Sequence, residues 1–331
     1  MRYVLAISAF FLSGGLSAFG AVDPALLALV PPGAKLVSGI QLDQARSSEF
    51  GRYILNRIDT EDEHFQQLFT EEAGFDPRHD LNELLFATSG PGTDHTQPSF
   101  VILARGSFDQ NRIEAKAKAK GATVESYQGV HLIIDGHANH HGTGFAFLDG
   151  GIALMADRAT LRQIVAGRAN PTALDPTLQD KVLKVSAGND AWFASSMPGS
   201  YLATHLEQQT RQPMQHAQAL QSILESSGGV HFGGVVEFFL DATTRSPQDA
   251  VSLADVLRFG ASMVQMQRQN DPRAAIIASA VDQMTVTNSG PTLHATLSMT
   301  EKELEQLVAA GHKTGVAVAV DPGTLITPTK P

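Results

Sequence analysis

The chain has 331 residues, of which 43% are apolar and 18% are charged, and its net charge is −10. This composition is typical of a globular protein, and the absence of cysteine excludes disulfides, so burial of apolar side chains must supply the stability. An acidic surface repels phosphate backbones and anionic lipid headgroups, which argues against nucleic-acid binding and against electrostatic docking to membranes.

The first twenty residues, MRYVLAISAFFLSGGLSAFG, have the pattern of a secretory signal peptide. A basic residue precedes a short apolar run from Tyr3 to Leu12, and Ala18 and Gly20 would form an A-x-G cleavage site. The apolar run is shorter than the ~20 residues that span a bilayer, so an uncleaved membrane anchor is the less favoured interpretation. No cysteine is available for lipid attachment. We therefore predict an exported protein, periplasmic or secreted, with Ala21 as its mature N-terminus and residues 1–20 removed.

The first half of the mature chain alternates strand patterns with helix patterns. AKLVSGIQL (34–42) predicts a strand, after which a helix is expected near Ser47 or Ser48. The acidic stretch from Asp59 to Asp76 lacks the central glycine and the spacing of a calcium loop. It carries a T-x-x-E capping pattern before regularly spaced apolar residues, so we predict a helix there.

The stretch DGHANHHGTG, Asp135 to Gly144, lies between two strand patterns, YQGVHLIID and GFAFLDGGIALMAD. The loop offers one carboxylate and three imidazoles as metal ligands: Asp135, His137, His140 and His141. Such a set suits zinc, copper or nickel. Adjacent histidines usually point apart, however, and a loop flanked by glycine does not hold ligands in place. The favoured interpretation is a solvated hairpin tip without a cofactor; the alternative is a site for a divalent transition metal.

Two segments of the chain share a strand followed by a short helix, which indicates an internal duplication. GIALMAD from Gly151 leads into RATLRQIVAG, and LHATLSM from Leu293 leads into TEKELEQLVAAG. In both helices the apolar residues recur at i, i+3 and i+4, as on one buried helical face. With hairpins between groups of helices, the pattern predicts an α+β fold in which a unit of mostly antiparallel sheet packed with helices occurs twice.

The predicted organisation has four parts. A signal peptide (1–20) precedes a first α+β half (21–170), a second half that repeats it (171–312) and a tail (313–331). The boundary falls in RANPTALDPT, 168–177, where two prolines and the lack of an apolar period indicate a linker. In the second half a helix is expected to begin at Ser246 as N-cap, followed by Pro247 and Asp249, and to bury the apolar residues from Val251 onward.

Catalytic motifs are missing from the sequence. We find no G-x-S-x-G elbow, no S-x-x-K, no HExxH, no Walker A loop and no G-x-G-x-x-G after a strand. The other histidines are scattered: His205 and His216 lie in a glutamine-rich region, and His231, in GGVHFGG, is expected at the start of a strand. An enzyme whose carboxylates converge only in the folded chain is not excluded.

Three stretches resemble uncharacterised exported proteins of soil bacteria, of the acidobacterial kind. They are LLALVPPGAKLVSGIQLDQARSSEFGRYIL, FDPRHDLNELLFATSG and SPQDAVSLADVLRFGASMVQMQ. The resemblance implies export and a duplicated α+β fold, and it transfers no activity, cofactor or site residue. The sequence thus predicts a non-catalytic binding or scaffold module of the cell envelope, with a partner protein or a small ligand held between the halves. The alternative is a metal-binding protein or metal-dependent enzyme that uses His137, His140 and His141.

Overall fold

A computed structural model describes residues 21–53, 55, 76–90, 99–134, 143–149, 151–201, 203, 217–269 and 272–312. The predicted signal peptide, the histidine loop, the C-terminal tail, nearly all of the acidic stretch 59–76, and His205 and His216 lie outside these residues. The described residues form an antiparallel sheet with helices packed on it, which confirms the predicted α+β class.

Twelve strands of the described residues form one sheet. They are β1 (Leu36–Gln41), β2 (Leu81–Thr88), β3 (Phe100–Gly106), β4 (Thr123–Tyr127), β5 (Val130–Ile134), β6 (Thr143–Phe147), β7 (Ile152–Asp157), β8 (Ala191–Ser195), β9 (Ile223–His231), β10 (Val235–Thr244), β11 (Thr285–Ser289) and β12 (Thr292–Thr300). Their order across the sheet is β11-β12-β10-β9-β8-β1-β2-β3-β7-β6-β5-β4.

The helices of the described residues range in length from a single turn to 21 residues. They are α1 (Pro24–Leu27), α2 (Leu42–Ser47), α3 (Pro77–Asp80), α4 (Gln110–Ala119), α5 (Arg158–Gly167), α6 (Pro176–Ser186), α7 (Ala217–Gln221), α8 (Pro247–Gln267), α9 (Pro272–Val281) and α10 (Glu301–His312). Short helical turns also occur at 49–53 and 199–201.

Strands β1 and β8 pair at the centre of the sheet and join the two halves of the chain in one continuous ladder. Outward from this pair, the first half runs β1-β2-β3-β7-β6 and the second runs β8-β9-β10-β12-β11. The two sides therefore place their strands in the same order of sequence, and β4 and β5 extend the first side alone. This order is what a duplication would produce, and the repeat itself stays a prediction.

Different sets of helices cover the two faces of the sheet. On the face that we call face A, α1, α5 and α6 bury Val37, Leu103 and Leu154 of the first half in the main core. On the opposite face, face B, α8, α9 and α10 bury Ala242, Leu293 and other residues of the second half. Because side chains alternate between the faces of a strand, each half has residues on both faces: α2 packs on face B of the first half beside Ala104, and α6 packs on face A against β8 and β9.

One cross-strand row on face A shows this change of environment. From β7 to β11 it contains Ala156, Val101, Ala87, Val37, Ala194, Ser227, Asp241, His294 and Thr287. The five members before Ser227 are apolar and fully buried, whereas the last member, Thr287, is exposed. The polar residues at the end of the row lie on the part of face A beyond α6.

Several local predictions are confirmed by the helix ends. Ser246 caps α8, its hydroxyl accepts from the Asp249 N–H at 3.1 Å, and Pro247 is the first helical residue. Of the two start sites proposed near residue 47, Ser48 is correct, because its hydroxyl accepts from the N–H of Gly51 at 2.8 Å. Helix α2 before it was not foreseen.

The predicted linker at 168–177 is wrong at its C-terminal end. Asp175 accepts from two backbone N–H groups and caps α6, with Pro176 at the first helical position. Leu174 is buried in the main core. The proline that was interpreted as a linker residue therefore begins a helix, a role in which its missing N–H costs nothing. His231 also departs from expectation, because it ends β9 rather than starting a strand.

Candidate functional site: an apolar ridge on α8

The strands that flank the histidine loop are neighbours in the sheet, and Ile134 of β5 pairs with Gly144 of β6. The loop residues Asp135, His137, His140 and His141 lie outside the described residues, so the metal site stays a prediction. Elsewhere in the described residues, no group of three or more histidine, aspartate or glutamate side chains could hold a metal ion.

By place in the sheet, the histidine loop has no counterpart among the described residues of the second half. The segment TNSGPT, 287–292, contains the turn that joins β11 to β12. By place in the sheet, β11 and β12 correspond to β6 and β7, whose turn contains Asp149 and Gly151. The histidine loop joins β5 to β6, and β5 has no counterpart on the other side.

Four described histidines each lie near a carboxylate. The pairs are His79 with Asp76 at 4.0 Å, His131 with Glu114 at 2.7 Å, His231 with Asp190 at 3.0 Å, and His294 with Asp241 at 2.8 Å. Hydrogen bonds from Lys118 and then His131 hold the pKa of Glu114 below its usual range. A single imidazole–carboxylate pair lacks the nucleophile that a catalytic triad requires.

The most perturbed acid in the described residues is Glu83, which sequence reasoning did not single out. Its side chain lies on face A of β2 and is 4% exposed. Burial raises its pKa to about 7, and the neighbouring Asp23 carboxylate adds to the rise. Both carboxylate oxygens accept from the Asp23 N–H, at 3.1 and 3.2 Å, and Asp23 in turn pairs with Arg105 at 2.7 Å.

The Gln41 amide lies beside Glu83 and lowers its pKa, yet its Nε2 has no acceptor in hydrogen-bonding geometry. The cluster ties Asp23 to β2 and β3, and its acid Glu83 and the neighbouring Gln41 are both buried. We interpret it as structural.

A cleft of 620 Å³ lies where β5 and β6 separate. Their ladder has three pairs and stops at Leu132 with Ala146, whereas β4–β5 and β6–β7 each have five. Helices α1 and α4 form the other walls. Several of its polar side chains have protein partners, because Glu114 binds Lys118 and His131, and Arg168 donates to the Gln128 carbonyl at 3.0 Å.

The exposed surface of α8 is the strongest candidate for binding. Leu253, Ala254 and Leu257 face the sheet and pack in the core of the second half. Three large apolar side chains follow on the opposite side: Phe259, Met263 and Met266, which are 52%, 43% and 71% exposed. Their i, i+4, i+7 spacing places them in one row, which we call the α8 ridge. Residues 259–267 contain no charged side chain.

Polar contacts on both sides hold the α8 ridge in place. Gln265 donates to the Asp282 carboxylate at 2.7 Å and Arg268 lies 3.3 Å from the same residue, which fixes the end of α8 against α9. Arg258 pairs with Asp255 and donates to the Val286 carbonyl at 3.1 Å, which ties the helix to β11. The ridge is thus a rigid apolar surface with a charged rim.

The sequence contained a signal for this ridge that periodicity alone could have revealed. The apolar residues from Val251 onward were expected to be covered, but Val251 is 41% exposed, so this part of the prediction is wrong. The second half of α8 carries apolar side chains on more than one side, and Arg258, Ser262 and Gln265 lie between them. A helix of this kind is either enclosed by protein or offers its outer side to a partner.

Comparison with known proteins supports the fold and gives no function. No protein-family model matches the chain, and no curated protein matches it. A solved structure, described as crystal form I of TP0453, matches with a TM-score of 0.51 at 9% identity. The match covers 86% of this chain and 96% of the other, so the similarity extends over nearly the whole fold.

None of the helices in the described part of the chain combines the length and the hydrophobicity that crossing a bilayer requires.

Proposed function

We propose that the protein is an exported, non-catalytic binding module of the cell envelope that docks a partner protein through the α8 ridge. Export is supported by the signal-peptide pattern of residues 1–20 and by the resemblance to exported acidobacterial proteins. The lack of nucleophile, P-loop and metalloprotease motifs supports a binding role over catalysis. The observation that carries the proposal is the exposed apolar row on a rigidly held helix.

The size of the ridge is consistent with an interface. From the exposed fractions, the three side chains present roughly 300 Å² of surface, as large as the patches that mark functional sites on monomers. Methionine adapts its shape to a partner and is frequent on binding surfaces. A helix that presents anchors at i, i+4 and i+7 is recognised by an apolar groove on the partner, so we propose a partner protein with such a groove.

The test is a photo-reactive amino acid placed at Met266 and activated in whole cells. The matched control carries the same group at Thr287, which is exposed on face A. We expect one protein to cross-link reproducibly from position 266 and not from position 287.

The cross-linked protein is then purified and titrated against the chain in which Phe259, Met263 and Met266 are replaced by serine. We expect a loss of about a hundredfold in affinity, because buried anchors at the centre of an interface each contribute more than ~1 kcal/mol. Equal affinity for both chains would disprove the role of the ridge. Cross-links to a second copy of the chain alone, or to lipid alone, would show that no partner protein binds there.

A further inference from the structure

A groove of 410 Å³ lies on face A, between α6 and the part of the sheet that no described helix covers. Its wall is the exposed side of α6, which carries Lys181 and Lys184. Its floor is formed by β9 and β10, with Ser227, Phe239 and Asp241. The groove exists because α8, α9 and α10 pack on face B, so that α6 is the described helix that borders this part of face A.

A glycine in β9 leaves room for an aromatic ring at the floor of the groove. In the register, Trp192 of β8, Gly229 of β9 and Phe239 of β10 form one row. A Cβ at Gly229 would lie 2.6 Å from Cε1 of Phe239, so the ring lies over the glycine. Phe239 is partly buried against the main core and keeps part of its ring at the floor of the groove. An aromatic surface is thus held between polar neighbours.

The charges in the groove are balanced in pairs. Lys181 lies 3.1 Å from Glu225. His294 lies 2.8 Å from Asp241, which is part of the floor. Asp180 and Lys184 are spaced i, i+4 on α6 and add one charge of each sign. A ligand with a net charge would have to compete with these partners. A neutral ligand with many hydroxyl groups can accept from the lysines and donate to the carboxylates without breaking a pair.

The backbone of the floor argues against an extended peptide. β9 pairs with β8 and β10, and β10 pairs with β9 and β12, so neither strand has a free edge to which a peptide strand could add. Only side chains remain to make hydrogen bonds. Carboxylates, ammonium groups and a serine hydroxyl around one aromatic surface match the hydroxyls and the apolar C–H face of a sugar ring.

We infer that this groove binds a short neutral oligosaccharide. The inference is independent of the α8 ridge, which lies on the other side of the sheet, so the failure of one leaves the other unchanged. A volume of 410 Å³ is at the smaller end of small-molecule sites, in keeping with a short glycan.

The experiment is an NMR titration of the isotope-labelled full chain with cellotetraose and, separately, with chitotetraose. We expect saturable shifts of the Ser227 and Gly229 amide signals with a dissociation constant of about 1 mM or below for at least one sugar. An acidic tetrasaccharide and a tetra-alanine peptide serve as comparison probes, and both should bind more weakly.

Two variants and two matched controls locate the site. Lys184→Ala and Asp241→Asn each remove a polar contact of the groove, and we expect each to weaken binding about fivefold, the equivalent of one hydrogen bond. Lys302→Ala on α10 and Asp255→Asn on α8 make the same chemical changes at exposed positions elsewhere, and they should leave binding unchanged.

Thermal unfolding confirms that each variant remains folded. The inference is overturned if neither neutral sugar shifts the two amides, if Lys184→Ala and Asp241→Asn bind as tightly as the original chain, or if the peptide binds more tightly than both sugars.

Discussion

Glu83 should make the stability of the protein depend on pH between about 4.5 and 7. Its pKa is raised from 4.5 to about 7 in the folded protein, so the folded state favours the protonated carboxyl more strongly than the unfolded state does. For an acid, a raised folded-state pKa means that stability is highest at low pH and is lost as the pH rises through this window. The 4% exposure of the side chain leaves little solvent screening. The difference amounts to about 3 kcal/mol above pH 7.

The perturbation is Glu83→Gln, which keeps the shape and cannot ionise. The variant retains one acceptor for the Asp23 N–H in place of two, a loss of about 1 kcal/mol. We therefore expect the variant to be about 2 kcal/mol more stable than the original chain at pH 8 and slightly less stable at pH 4.5.

The assay is urea unfolding at intervals from pH 4.5 to pH 8, with the variant compared to the original chain at each pH. All other titratable groups are common to both proteins, so their contributions cancel in the difference. Glu49→Gln, at an exposed position, is the matched control and should show no such difference. A difference between Glu83→Gln and the original chain that stays constant with pH would refute the reasoning.

Three further outcomes are expected. Gly39→Ala should lower the free energy of unfolding by about 1–3 kcal/mol, because a Cβ there lies 2.5 Å from Cζ2 of Trp192. Gly33→Ala is the control, since a Cβ there has no atom within 4 Å. Equal urea midpoints for the two variants would contradict the predicted clash. Ser246→Ala should cost about 1 kcal/mol in thermal unfolding through the lost cap of α8, and an unchanged melting temperature would disprove the capping role. Replacing the three loop histidines by alanine should leave the metal content of untagged protein unchanged by elemental analysis; a stoichiometric metal lost in the variant would establish the alternative, a metal site.

Much of the local structure was predictable from the sequence. The cap of α8 by Ser246 depends on residues within one turn of each other, as does the turn between β4 and β5, where Gln128 and Gly129 both have positive φ. These features follow from nearest-neighbour chemistry and need no tertiary partner. The strand and helix periods and the α+β class follow from the spacing of apolar residues along each element.

The candidate sites were less accessible to this reasoning. Glu83 occupies a strand, LNELLFAT, in which apolar residues fall on both faces, so alternation could not show that its carboxylate is buried. Phe239 similarly follows another phenylalanine in β10, and only the pairing with Gly229 shows which ring lies over the groove. The histidine loop, the clearest signal in the sequence, joins β5 to β6, and its metal site stays a prediction.

The sequence by itself determined which segments become strands and helices and where several helices begin, because these features depend on residues near each other in the chain. Its composition determined that the protein is acidic and has no cysteine. The tertiary structure decided which face of the sheet each helix covers. That choice rests on the pairing of β1 with β8 and on packing between residues more than 100 positions apart, such as Val37 and Ala194. Because α8 packs on face B and α6 on face A, this arrangement turns the α8 ridge outward and leaves the polar groove beside α6.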